Sequence, residues 1–163
     1  MPENKDNVAE VAKSVLESLL SLMEVSASVE PSATFLGEGD ADSVTLEIRG
    51  EDLGILIGRR GQTLSSLQYI VRLIVGRQTK IWMPIIIDVE GYKRRRHDAL
   101  QALAWRMAEQ VKTKGVPFAL EPMPAFDRRI IHLALADHPD VTTQSSGEGE
   151  ARKVVIIPKE QLT

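Results

Sequence analysis

The sequence predicts an α+β fold. Stretches with apolar residues at helical spacing alternate with short runs that are either alternately or continuously apolar. Glycine, proline and acidic turn residues separate these stretches. The chain has 163 residues, which is enough for one large domain or two small ones with a hydrophobic core.

The first half of the chain shows six elements. A capping box at residues 7–10 starts an amphipathic helix of about four turns. Alternating or continuous apolar runs predict the strands, and helical spacing predicts the second long helix. In order, the later elements are a strand at 25–35 interrupted by Pro31, a strand at 43–50, a short helix or turn at 51–57, a helix from Leu64 to near Gly76, and a strand at 81–89; an acidic hairpin connection at 37–42 joins the first two strands.

The second half begins with a long helix that carries a basic first turn at residues 93–97. Prolines in residues 115–124 then predict an extended segment. Helical spacing resumes at Phe126 and continues to Ala136. We expect a polar loop over 140–150 and a final strand over 152–158.

The turn Gly58-Arg59-Arg60-Gly61 is the first candidate site. Glycine permits positive φ and lets a ligand approach the backbone closely. The amides of Gln62 and Thr63 begin the next helix, where unpaired N–H groups suit an anion. Guanidinium groups match phosphate geometry. Gly-x-x-Gly alone is a weak signal, because most instances are ordinary turns.

Charge is distributed unevenly along the chain. Residues 51–114 carry 12 Lys/Arg against 6 Asp/Glu, whereas residues 1–50 carry 3 against 10. A basic middle in a mildly acidic protein indicates a localised anion-binding face. The alternative is a solvated helix surface.

Two further basic groups are candidates for phosphate binding. Arg94 and Arg95 lie at a helix start, where cations oppose the helix dipole, so a functional use of their charge would explain them. Arg128 and His132 lie one helical turn apart and share a face, with Arg129 beside them. For the helix start, the alternative is pairing with Asp88, Glu90 and Asp98.

Other classes of protein find little support in the sequence. The chain has no cysteine, its start is polar and acidic, and no apolar run reaches membrane-spanning length. Common nucleotide, hydrolase and zinc-protease motifs are absent, and the three histidines lack metal-ligand spacing. We therefore expect a cytoplasmic protein without catalysis, cofactor, metal site or membrane insertion. Aromatic residues are only 4% of the chain, which argues against a base-stacking platform.

The first half resembles a type II K-homology (KH) domain, with the order αββααβ and the motif Leu-Ile-Gly-Arg-Arg-Gly-Gln-Thr-Leu at 56–64. The resemblance implies that this turn contacts the backbone of about four nucleotides of a single strand. It also implies a hydrophobic groove for the bases. By position, that groove would be lined by Ile55, Ile57, Leu64 and the strand 85–87, although most of those side chains must also form core.

The second half resembles a small α/β R-three-H (Arg-xxx-His) domain, which binds single-stranded nucleic acid. The stretch 120–132, the run Val-Thr-Thr…Ser-Ser-Gly-Glu-Gly and the stretch 88–96 together resemble the bacterial Jag family, also called SpoIIIJ-associated protein or KhpB. Many members carry an extra N-terminal Jag domain, and we expect this chain to lack it. The expected divisions are a disordered start at 1–6, a KH domain at 7–90, an R-three-H domain at 91–159 and a tail at 160–163.

We therefore expect a non-catalytic protein that binds single-stranded RNA, acting as a post-transcriptional regulator or RNA chaperone. Single-stranded DNA is the other possible ligand. Protonation of His132 would raise affinity below about pH 6.5. The alternative function is a protein-interaction adaptor. The family resemblance implies links to cell-envelope growth and membrane-protein insertion, and partnership with a second small KH protein or self-association.

Overall fold

A computed structural model describes residues 2–32 and 43–161 of the chain. The chain divides into two compact units, Met1–Lys93 and Arg94–Thr163. The boundary falls within the helix Tyr92–Lys114, close to the expected division at residue 90. No described helix combines the length and apolar character that crossing a bilayer would take.

The first unit has the predicted order αββααβ. One three-stranded sheet has the order β1-β2-β3. Strands β1 and β2 are antiparallel, whereas β2 and β3 are parallel. The elements are α1 (Pro2–Leu22), β1 (Ala27–Pro31), β2 (Val44–Gly50), α2 (Gly54–Ile57), α3 (Gln62–Thr79) and β3 (Ile85–Val89).

The core of the first unit lies between its two long helices and the sheet. Helix α1 buries a row of apolar residues that recur every fourth position, and the alternating residues of β2 face them. Each fully buried Leu or Ile contributes about 1.5–3 kcal/mol of hydrophobic stabilisation. The core includes Val8, Ala12, Leu16, Leu20, Leu46, Ile48, Val71, Val75, Ile85 and Ile87.

Several boundaries in this unit differ from the sequence prediction, including the start of the first strand, which is Ala27 rather than residue 25. Helix α1 begins at Pro2, so residues 2–6 are helical rather than disordered; proline is tolerated in a first turn, and Glu3 favours the helix dipole. Helix α3 continues past Gly76 to Thr79 and ends before Lys80, which has a φ of 60°; Gly76 instead lies against the Trp82 ring. Strand β3 begins only after Pro84. The predicted hairpin connection at 37–42 lies outside the described residues.

The second unit contains an antiparallel sheet with the order β4-β6-β5. Apolar residues of α4 and α5 form its core with alternate residues of the sheet, among them Leu100, Ala108, Ile131, Val154 and Ile156. The elements are α4 (Tyr92–Lys114), β4 (Phe118–Ala119), α5 (Ala125–Ala134), β5 (Val141–Ser146) and β6 (Lys153–Pro158).

The predicted polar loop over 140–150 was wrong for most of its length. Residues 141–146 form strand β5, which pairs with β6 from Val141↔Pro158 to Ser146↔Lys153. The apolar alternation of an ordinary half-buried strand is missing here because hydroxyl residues occupy most of its positions. A short 3-10 helix at Gly149–Ala151 follows, and another at Lys159–Gln161 occupies the start of the expected tail.

Candidate nucleic-acid interface

The Gly58–Gly61 turn, hereafter the GxxG loop, connects α2 to α3 through an unusual backbone. Three of its residues have positive φ: Gly58 at 70°, Arg60 at 54° and Gly61 at 76°. A Cβ at Gly58 would overlap the Thr63 hydroxyl, and one at Gly61 would lie 3.0 Å from Tyr92 Cε1. Both glycines are therefore required by conformation and by space, as the spacing predicted.

The two arginines of the loop differ in their surroundings. Arg59 is exposed, and its side chain makes no hydrogen bond or ion pair with any residue that the structure describes. Arg60 is half-buried in the left-handed conformation. The backbone N–H of Gln62 donates to the Arg59 carbonyl, so this amide is used within the turn. The expected anion contact through the Gln62 amide is therefore not available without opening that bond.

Few of the apolar side chains expected to line the base groove are exposed. Leu64 and the three isoleucines of β3, residues 85–87, are buried. Of the predicted lining, Ile55 is exposed and Ile57 is half-buried. The backbone N–H of Ile87 in β3 is already used, because it donates to Oε1 of Gln68 on α3 over 2.9 Å. Core packing has therefore taken most of the predicted groove residues.

Most aromatic side chains lie on the surface. Five of the six described aromatic residues are exposed, and the core is instead built from aliphatic residues. On α3, Tyr69, Ile70 and Leu73 form an exposed apolar row. On α5, Phe126 is exposed one turn before Arg129. Although the chain has few aromatic residues, several of their rings are therefore exposed to solvent.

The basic start of α4 is partly neutralised by carboxylates. The Lys93 backbone N–H donates to Asp88 Oδ1 over 3.2 Å, which places a negative charge at the positive helix end. Arg96 donates from Nε (3.1 Å) and Nη2 (2.9 Å) to Oδ2 of the buried Asp127 on α5. The candidate residues Arg94 and Arg95 are both exposed. Asp88 and Arg96 thus take part in contacts that stabilise the fold. The partner of Arg96, Asp127, was not predicted from the sequence.

The second candidate site is centred on His132, near the end of α5. Its Nδ1 lies 2.7 Å from Thr143 Oγ1, and its Nε2 lies 2.8 Å from Ser145 Oγ. Both hydroxyls come from β5, where residues two apart point to the same side of the sheet. The imidazole is therefore held at both nitrogens.

Two guanidinium groups act on this histidine. Arg128 lies one turn earlier on α5, and its Nε is buried without a hydrogen-bond partner among the described residues. Arg152, which precedes β6, donates from Nη1 to the Gly147 carbonyl over 2.7 Å. Burial, followed by the charges of Arg128 and Arg152, lowers the pKa of His132. Arg128, His132, Thr143, Ser145 and Arg152 are hereafter the His132 cluster.

The lowered pKa changes the expected pH response. Because the pKa of His132 is lowered, protonation of the imidazole in the free protein requires a lower pH than the sequence alone predicted. The sequence identified Arg128 and His132 by their spacing but missed Thr143, Ser145 and Arg152. The signal that would have found the hydroxyls is the i, i+2 spacing within Val-Thr-Thr-Gln-Ser-Ser, had it been interpreted as a strand. Arg129 is exposed beside the cluster.

The two units and their candidate sites define a protein built from a KH domain followed by an R-three-H domain. The sequence matches the KH domain of KhpA/KhpB over residues 9–87 and the R-three-H domain over residues 98–158.

Three curated relatives align with 89–98% of the chain. A Clostridium symbiosum protein is 37% identical over 161 residues, which are 98% of this chain and 70% of that protein. A Bacillus subtilis protein is 32% identical over 147 residues, which are 89% of this chain and 71% of that protein. One from Streptococcus pneumoniae is 25% identical and is covered over 46% of its length. All three carry the name RNA-binding protein KhpB, and this chain belongs to the KhpB/Jag family.

Proposed function

We propose that this chain binds single-stranded RNA through its KH and R-three-H domains and performs no chemical catalysis. Its relatives are named for RNA binding, and both matched domains are binding domains. The first unit presents the exposed Arg59, and the second presents two hydroxyl groups beside His132, on which two arginines act. A role as a post-transcriptional regulator or RNA chaperone would follow from such binding.

The observation that carries this proposal is the GxxG loop. Its glycines leave no Cβ at the two positive-φ positions that flank Arg59 and Arg60, so a strand can approach the backbone. Arg59 is exposed and makes no side-chain bond with the described residues, so binding a phosphate costs it no existing contact. Arginine supplies a planar pair of donors for phosphate oxygens.

The His132 cluster would hold a second stretch of the same strand. Two weak contacts on one chain raise affinity through effective concentration, without any new type of contact. Because phosphate contacts dominate, binding should weaken with salt by about 0.7 in log–log slope for each phosphate neutralised on a single strand.

The test is fluorescence-anisotropy binding of a short unstructured RNA, across a salt series and beside the DNA of the same sequence. Arg59→Asp/Arg60→Asp is compared with Arg72→Asp/Arg77→Asp, which makes the same charge change at exposed positions of α3. We expect the loop variant to lose at least about tenfold in affinity, equal to about 1.4 kcal/mol. The control should lose much less. Equal binding by the folded loop variant and the wild type would contradict an RNA contact at this loop.

The exposed row Tyr69, Ile70 and Leu73 on α3 favours a second candidate function, a protein-interaction adaptor. Such a surface could dock another small KH protein or a second copy of this chain, in a role tied to envelope growth or membrane-protein insertion. Sedimentation of the wild type and of Tyr69→Ser/Leu73→Ser tests this function. A change in molecular mass or in partner capture, with RNA binding intact, would support it, whereas no change in either would count against it.

A further inference from the structure

We propose that the hydroxyl groups of Thr143 and Ser145 contact a phosphate of the bound strand, and that His132 is a positioning residue which directs their O–H donors. This inference rests on the proposed RNA-binding function and names further residues of its second site. It assigns the histidine a different role from direct phosphate contact.

The first step of the argument is that both His132 nitrogens are already occupied. Thr143 Oγ1 lies 2.7 Å from Nδ1, and Ser145 Oγ lies 2.8 Å from Nε2. These distances are those of good hydrogen bonds. A phosphate can reach an imidazole nitrogen only after one hydroxyl has been displaced. A hydroxyl oxygen that accepts from a ring nitrogen, in contrast, still has its own proton to donate to a ligand.

The second step concerns the direction of each proton. A neutral imidazole has one N–H donor and one acceptor nitrogen. One of the two hydroxyls must therefore give its proton to the ring, and the other accepts from the ring and keeps its proton for a ligand. A doubly protonated imidazolium donates to both oxygens, so both hydroxyl protons are then available. Protonation of His132 thus changes the cluster from one outward hydroxyl donor to two.

The third step is that the charges around the ring favour an anion. The charged groups that act on His132 are Arg128 on its own helix and Arg152 before β6, and both are cations. The buried Nε of Arg128 has no partner among the described residues. A bound phosphate offsets this positive charge and stabilises the imidazolium, so binding and proton uptake favour each other. The strand should therefore bind more tightly as pH falls.

The test compares two paired variants of the full chain on the same strand. Thr143→Val/Ser145→Ala removes the hydroxyls beside His132. Thr142→Val/Ser146→Ala makes the same changes at alternate positions of β5, which face the other side of the sheet. The probe is a short unstructured oligouridine, titrated by anisotropy between about pH 5 and pH 8, the range in which histidine changes charge.

We expect the hydroxyl variant to lose about tenfold in affinity, the effect of removing hydrogen bonds to a charged group. Its affinity should rise less than that of the wild type as the pH falls, because protonation of His132 no longer frees a hydroxyl donor, and Thr143→Ser should retain the wild-type affinity and pH profile. The control pair should behave as the wild type. Thermal melting followed by circular dichroism establishes that each variant folds, and imidazole ¹⁵N shifts of His132 report its pKa with and without RNA.

Three results separate the possible failures. In the first, the wild type binds RNA and Arg128→Gln weakens binding, but the folded hydroxyl variant keeps the wild-type affinity and pH profile. This inference is then wrong, and the proposed function stands. If His132 titrates identically with and without RNA, its coupling to the ligand is wrong, and the positioning role is overturned. If the wild type binds no RNA at any pH, both proposals fail together.

Discussion

In the first unit, the candidate site is made of four consecutive residues, whereas in the second it draws on α5, β5 and the residue before β6. The GxxG loop depends on backbone conformation, with three positive-φ positions among its four residues. The His132 cluster depends on side chains held by other side chains. The two sites should therefore fail in different ways: the first when its glycines change, and the second when the packing of its helix on its sheet changes.

The largest expected effect is in the second unit, at the ion pair between Arg96 and the buried Asp127. Asp127→Ala leaves a partly buried guanidinium without its partner, and we expect a loss of about 3 kcal/mol in the free energy of unfolding of this unit. Urea denaturation followed by circular dichroism, together with amide exchange in α5, measures it. Glu17→Gln breaks the exposed pair Lys13–Glu17 and should cost less than about 0.5 kcal/mol.

A loss below that of the exposed pair would show that Asp127 does not hold α5 in place. The second site would then owe its geometry to apolar packing alone.

The next largest effect is expected at Gly58. In Gly58→Ala, the added Cβ must avoid the Thr63 hydroxyl at a φ of 70°, so the loop should distort at a cost of about 2 kcal/mol. The RNA affinity of this variant should also fall, because the loop is distorted. Gly54→Ala is the matched control, because a Cβ there meets nothing within 4 Å and alanine favours a helix. Melting temperatures and anisotropy on both variants make the comparison.

If Gly58→Ala binds and melts as Gly54→Ala does, the conformation of the loop is not what the site requires. The first site would then not depend on backbone conformation, and its contrast with the His132 cluster, which depends on side-chain contacts, would be wrong.

A smaller effect is expected from single cations in the second unit. Arg128→Gln should weaken RNA binding about fivefold to tenfold, up to about 1.4 kcal/mol, and lower the salt slope by about 0.7 for one lost phosphate contact. Arg106→Gln removes the same charge from an exposed position of α4 and should change neither quantity much. Identical salt slopes for the two variants would place Arg128 outside the interface.

The smallest effect is the pH dependence of stability. The pKa of His132 is lowered in the folded protein, so the unfolded chain takes up a proton more readily. The stability of the second unit should therefore be complete above the unfolded value of about 6.5 and decrease as pH falls below it. His132→Asn should flatten this decrease. Urea midpoints of the wild type and of this variant across that range measure it, and equal curves for the two proteins would contradict the assignment.

Local signals in the sequence predicted the fold and the position of the GxxG loop between two helices. Glycine spacing, helical stripes and alternating strands identify the αββααβ unit and the GxxG loop, because each depends on neighbouring residues. Arg128 and His132 were predicted for the same reason, being one helical turn apart.

The remainder of the second site depends on contacts between distant parts of the chain. Thr143 and Ser145 were assigned to a loop because this stretch lacks the apolar alternation of an ordinary strand. The hydroxyl residues that replace the apolar ones are those that contact His132. Arg152 and Asp127 have no local pattern that marks them. Leu64 and residues 85–87, which were expected to line the groove and also to form core, are buried in the core.

The most direct test is whether both sites hold one RNA strand. Anisotropy is measured on oligouridines from about four nucleotides, the length a KH loop contacts, to several times that length. The proteins compared are the wild type, Arg59→Asp/Arg60→Asp and Arg128→Gln/Arg152→Gln. We predict that wild-type affinity rises steeply with length and that either variant loses this gain, because only one site remains on each chain. If one folded variant keeps the full gain with length, the strand is held by a single site, and the two-site mechanism is wrong.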